Sequence, residues 1–342
     1  MFTTGQSHYC KFELDMTTAE MRDLLEGRQV GIYFLSVLLG AAIAILVPGT
    51  AAWESAINPA LALMLFVTFL QVPIAELGRA FRAVRFIGVL LLTNFVMVPI
   101  LVAILIQFTP PEPMVRLGVL LVLLTPCVDY VVTFAHLGRA DAKLLLTSTP
   151  ALLIVQMLLL PAYVGVLLGD DASRLVQAGP FVHAFVWLIA IPLVLAAGFQ
   201  LWARRSGIGT RTTSVLALLP VPATALALFV VIASVVPQLE QAINAALAVA
   251  PIYVAFAAIA PLIGWQMSRL FKLEAEAGRA IAFSGATRNS LVVLPLALAV
   301  PGAVPLLPAI IVTQTIVELL ASLIYIRAIP RLGPASTPSM EV

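Results

Sequence analysis

Three ionisable side chains sit deep in apolar stretches: Asp129 in "LLTPCVDY" (123–130), Arg288 in "FSGATRNS" (283–290) and Glu318 in "TQTIVELL" (313–320). A charge at the centre of a membrane helix costs on the order of 2.5–3.5 kcal/mol on insertion scales, so each is expected to face a partner or a water-filled cavity. Asp129 and Arg288 have opposite signs and form a candidate coupling or gating pair, in which protonating Asp129 releases Arg288. The alternative is a static ion pair that fixes local geometry. Glu318 lies one helical turn from Gln314 and reads either as a second proton carrier or as hydrogen-bonded structure. Cys127, next to Asp129 but one, is either a soft thiol ligand or a small packing group.

The elements that must position these residues are membrane helices. The chain is 61% hydrophobic and 11% charged, where soluble domains carry about 25% charged residues. Roughly 20 apolar residues cross a bilayer as a helix, and ten such segments are predicted, near 30–47, 58–75, 84–106, 115–137, 143–168, 181–202, 213–236, 244–268, 278–300 and 303–327. Of the 19 basic residues, all but Arg116, Arg174 and Arg288 fall in the N-terminal segment, after an even-numbered span or after the last. Short cytoplasmic loops collect positive charge, so both termini are placed in the cytoplasm and the protein in the cytoplasmic membrane. Residues 1–29 read as a cytoplasmic tail, with Thr17-x-x-Glu20 spaced as a capping box for a short amphipathic helix. The first 28 residues lack the apolar core of a cleavable leader. Residues 329–342 read as a second tail. Cys10 and Cys127 are too far apart in this arrangement for a disulfide.

Five spans are an odd number, so two sets of five, 30–168 and 181–328, have opposite topology and form an inverted repeat, as in many secondary transporters. The fourth and ninth spans are both interrupted, and Cys127 and Thr287 lie 160 positions apart, as do Asp129 and Asn289. Thr125-Pro126 is expected to start a half-helix, and Gly285 with its small polar neighbours to unwind the other break. Matching breaks point to a midplane binding site, with Thr287, Arg288 and Asn289 among its candidate residues. Asn94, Thr149, Gln156, Ser284, Ser290 and Gln314 are weaker candidates for lining a cavity or bonding across helices. No phosphate-binding loop, H-E-x-x-H or G-x-S-x-G motif occurs, which sets aside direct ATP use and two classes of membrane hydrolase. No cofactor and no nucleic-acid partner is expected. The oligomeric state is not legible.

The runs "LLTPCVDYVVTFAHLGRADAKLLL" and "SGATRNSLVVLPLALAVPGAVPLLPAIIVTQTIVELL" resemble the bile acid/sodium symporter superfamily, most nearly its bacterial arsenic resistance, arsenite permease-like, members. The resemblance implies ten helices in two parts: a panel of spans one, two, six and seven, and a core of the other six with broken, crossing fourth and ninth helices. It also places Ser284 and Arg288 where the sodium-coupled branch has a Glu and a Gln, and a guanidinium there repels sodium. Cys127 matches the cysteine of the arsenite permeases, whose acidic residue in the ninth span falls near Leu291 and is missing. The reading is therefore a secondary carrier exporting arsenite or a related trivalent metalloid in exchange for protons. In it Cys127 binds cargo, and Asp129, Arg288 and Glu318 couple or gate. The alternatives are a carrier of small organic anions using Arg288, and a membrane enzyme or sensor.

Overall fold

The computed structural model describes residues 18–71, 83–128, 130–169, 183, 186–298 and 300–333. Helix α1, Thr18–Leu46, is continuous. The tail residues from Thr18 on form the first turns of this long helix, not a separate one, and Gln29 and Tyr33 on it are buried; Thr17, the expected cap, lies outside the described residues. Then follow α2 (Glu54–Gln71), α3 (Val84–Leu92), a π-helical turn (Thr93–Met97), α4 (Val98–Leu105), α5 (Pro113–Leu123), α6 (Val131–Leu137) and α7 (Ala142–Leu168). After a second π turn (Val186–Ala190) come α8 (Ile191–Ala203), α9 (Gly207–Leu216), α10 (Pro220–Val235), α11 (Leu239–Leu270), α12 (Ala275–Ala286), α13 (Ser290–Leu298) and α14 (Leu306–Ala328).

Among the described residues, six helical stretches are long and apolar enough to cross a membrane, or seven if α9 and α10, bent by 43°, are one span. The pairs α5/α6 and α12/α13 fall short singly because each is one apolar segment cut in two. Large apolar side chains also face outward, with Val166 81% and Leu46 77% exposed. A bundle apolar outside as well as inside suits lipid rather than water. This is a multi-pass membrane protein.

The helices form two packing groups. In one, α10 packs on α1 and α2, and α8 on α2; in the other, α11 packs on α12 and α14, and α14 on α5 and α13. The groups meet where α13 touches α2 and α14 touches α10. Proline shapes the second group and its costs are met locally. Pro99 and Pro261 lack the N–H that would bond the carbonyls of Phe95 and Ala257, and those carbonyls accept instead from the hydroxyls of Tyr163 and Tyr325. In the first group, Gln200 of α8 donates to Phe69 O and Leu70 O, in the last turn of α2. Gly264 lets α11 lie directly on α12, since a Cβ there would stand 2.8 Å from Ala282 Cα and Ile281 O.

Candidate functional site

The two broken segments cross, and their backbones form one antiparallel bridge between Pro126 and Arg288. Breaking a helix at this depth frees N–H and C=O groups that lipid cannot satisfy. In an unbroken helix Cys127, Arg288 and Asn289 would donate to Leu123 O, Ser284 O and Gly285 O. Here the Cys127 N–H donates to Thr287 O (3.1 Å) and the Asn289 N–H to Thr125 O (2.9 Å), so each strand serves the other. The Arg288 N–H donates to Glu318 Oε2 at 2.6 Å. All three redirected donors are thus satisfied.

The three abandoned carbonyls are collected by one side chain. The Arg288 guanidinium donates to Ser284 O (2.7 Å), Gly285 O (2.7 Å) and Leu123 O (3.3 Å). A fourth oxygen, Asn94 Oδ1, accepts at 2.9 Å. These carbonyls end α5 and α12, so the cation sits at two helix C-termini, where the helix dipoles favour positive charge. Asn94 lies in the π turn, and its amide also donates to Ser284 Oγ at 3.0 Å. The Phe256 ring lies 5.3 Å from the guanidinium carbon, within cation–π range. Arg288 itself is 0% exposed.

Glu318 of α14 clasps the same break. Its Oε1 accepts from the Tyr130 hydroxyl at 2.6 Å, and its Oε2 accepts from Gln314 Nε2 as well as from the Arg288 backbone. Asn289 caps α13 by accepting from Val292 N at 3.3 Å. Ser290 Oγ accepts from Thr315 at 2.8 Å, and the Thr287 hydroxyl donates to Phe283 O. Ser284, Thr287, Arg288, Asn289, Ser290, Asn94, Gln314 and Glu318 are therefore in one buried cluster. Thr149 only bonds back to Leu145 O in its own helix. Gln156 is buried with its amide unbonded among the described residues. Asp129 lies outside the described residues, and with it the expected pair with Arg288.

Three local expectations are corrected. Thr125 does not start a helix: its hydroxyl donates backward to Leu121 O and Val122 O, closing the end of α5, while α6 starts only at Val131. Pro126 has no N–H for Val122 O, so the hydroxyl takes that place. Cys127 consequently lies in the non-helical stretch between α5 and α6, not at a half-helix N-terminus, and is fully buried. Gly285 does not unwind: α12 runs through Ala286 and breaks only at Thr287. A Cβ at Gly285 would make ordinary contacts, 3.4 Å from Thr93 and 3.5 Å from Ala260 O.

A polar cleft opens beside the crossing, between the two packing groups, with a volume of about 100 Å³. Gln29 and Tyr33 of α1, Thr68 and Gln71 of α2, Thr224 of α10, and Val128, Tyr130 and Thr133 line it. Tyr130 therefore both lines the cleft and donates its hydroxyl to Glu318. Sequence reasoning missed Tyr130, Phe256 and the cleft hydroxyls. Only Tyr130 left a signal, by standing at the end of the fourth-span break.

Two packed helix groups, a crossing of broken helices and a polar cleft between the groups define a membrane carrier architecture. Residues 58–245 match the Sodium Bile acid symporter family, more than half of the chain. The protein belongs to that family of transporters. No match is found among curated proteins.

Proposed function

We propose that the protein is a sodium-independent secondary carrier that exports arsenite, as neutral arsenous acid, or a related trivalent metalloid in exchange for protons. The observation that carries this is the guanidinium of Arg288 held by four oxygens at the crossing. A permanent internal cation there takes the place of a coupling metal ion and leaves no room for one. In this reading ten spans form two inverted repeats, 30–168 and 181–328, with both termini cytoplasmic. The first packing group is the panel, and the second is the core that moves against it by alternating access.

Protons act through Glu318. Its carboxylate accepts three bonds from donors that also define the break. Adding a proton sets a donor against one of those donors, so the clamp on Arg288 loosens and the crossing rearranges. Tyr130 links this carboxylate to the cleft, and so to water. Cys127, one residue from the cleft-lining Val128, becomes reachable on that rearrangement. Its thiol replaces one hydroxyl of arsenous acid, forming As–S and releasing water; attack by water reverses the step and frees the cargo. The organic-anion alternative is disfavoured because the Arg288 guanidinium is already engaged by protein oxygens.

Reconstituted vesicles loaded with arsenous acid test the proposal. Export should follow an imposed pH gradient, persist when sodium is replaced by N-methylglucamine, and fall at least tenfold in Cys127→Ser. Export that requires a sodium gradient refutes it.

A further inference from the structure

In the second packing group, α11 and α14 run side by side in the same direction: Ala257 meets Tyr325, and further along Trp265 meets Gly333. Between them lies an apolar groove with a volume of about 490 Å³. Small residues hollow it out. Ala258, Pro261, Ala321 and Ala328 line it, while Leu262 and Ile324 on its walls are 55% and 65% exposed, so it opens outward. The carbonyl that Pro261 leaves free accepts from the Tyr325 hydroxyl and makes no demand for water. Along α14 the groove runs from Val317 to Ile329, about 18 Å at 1.5 Å per residue. That matches the roughly 15 Å of hydrocarbon in one leaflet.

One end of the groove is positively charged. Arg269 lies over the Trp265 ring, its guanidinium carbon 6.0 Å from the centroid. Gly333 packs on the same ring, where a Cβ would stand 2.9 Å away, which brings Arg331 to the same end. Arg327 stands in the turn between the groove-lining Ile324 and Ala328. The buried Arg279 donates to the carbonyl of Leu332, the last residue of the groove wall, and fixes this end. All three outer arginines are exposed, and none is in an ion pair among the described residues, although Glu274 and Glu276 lie in the next turn of chain.

We infer that this groove is a binding site for an anionic phospholipid, with one acyl chain lying between α11 and α14 and the headgroup phosphate held by Arg269, Arg327 and Arg331. Basic pockets between membrane helices suit anionic headgroups, and guanidinium groups match phosphate oxygens in charge and geometry. In the orientation proposed above, the arginines face the cytoplasmic leaflet, where anionic lipids create a negative surface potential. The site is independent of what the carrier transports. A second copy seated on the groove by a two-fold axis along the bilayer normal would set these arginines against their own equivalents.

Native mass spectrometry of the full-length protein in detergent tests the site, titrated with phosphatidylglycerol and with phosphatidylcholine of identical acyl chains. Phosphatidylglycerol should bind more tightly, and Arg327→Gln and Arg331→Gln should each raise its Kd about fivefold while leaving phosphatidylcholine binding unchanged. Ala321→Phe, which fills the groove without altering charge, should also weaken phosphatidylglycerol binding. Because the two arginines are exposed, their variants test the headgroup site even where Ala321→Phe does not fold. Equal affinity for the two lipids overturns the inference, as does phosphatidylglycerol binding that depends on the arginines but not on a folded Ala321→Phe variant. A dimer that Ala321→Phe dissociates would give the groove to a second copy and overturn it as well.

Discussion

Replacing Arg288 by glutamine tests the internal-cation argument on stability, without a transport assay. The arginine satisfies four oxygens, those of Leu123, Ser284, Gly285 and Asn94. A glutamine amide has two N–H donors, too few for one each to four oxygens, so one or two buried acceptors are left. At about 1–3 kcal/mol each the cost is about 1–6 kcal/mol, set against the roughly 5–15 kcal/mol that holds typical domains folded. The vacated space is walled by oxygens at the ends of two helices and suits a small hard cation. Sodium at about a hundredfold over its Kd would return about 2.7 kcal/mol. The assay is thermal unfolding of purified Arg288→Gln in detergent, in sodium chloride and in N-methylglucamine chloride at equal ionic strength. The variant should unfold several degrees below the wild type in the organic salt and recover part of the loss in sodium, whereas the wild type should be indifferent. A variant equally stable in both salts would refute the idea that Arg288 stands in a cation site.

Further outcomes follow from the same geometry. Glu318→Gln keeps shape but replaces an accepting oxygen by a donor facing Tyr130 or Arg288; solute binding should persist while flux stops responding to a pH gradient, measured in vesicles. Gly264→Ala puts a methyl group 2.8 Å from the backbone of α12 and should destabilise by about 1–3 kcal/mol, read as a lower unfolding temperature. Arg279, 1% exposed, donates to Leu332 O and Arg139 O. Arg279→Met strands both carbonyls and should cost about 1–3 kcal/mol, seen as earlier proteolysis in the 138–141 turn.

Several of these features were legible in the chain. Lipid forces each backbone group to find a partner nearby, so spans show as apolar runs and breaks as Pro126 and the "ATRNS" interruption. Arg288 could be singled out because a cation is conspicuous in apolar sequence. The details of each break were less legible. Thr125 resembles a helix start, but a hydroxyl beside a proline serves equally to close the turn before it, and only the path of the chain selects between the two.

What the sequence determined by itself is the membrane environment, the places where helices break and the residues that cannot be left without partners, because these follow from local composition in a solvent with no hydrogen bonds to offer. What only the tertiary structure decided is who the partners are. Asn94 and Arg288 are 194 residues apart, and Tyr130 and Glu318 are 188 apart. Neither pairing leaves a periodicity or spacing to read. Each arises because two broken helices cross, hand their backbone donors to each other or to Glu318, and leave a ring of carbonyls that one guanidinium fills.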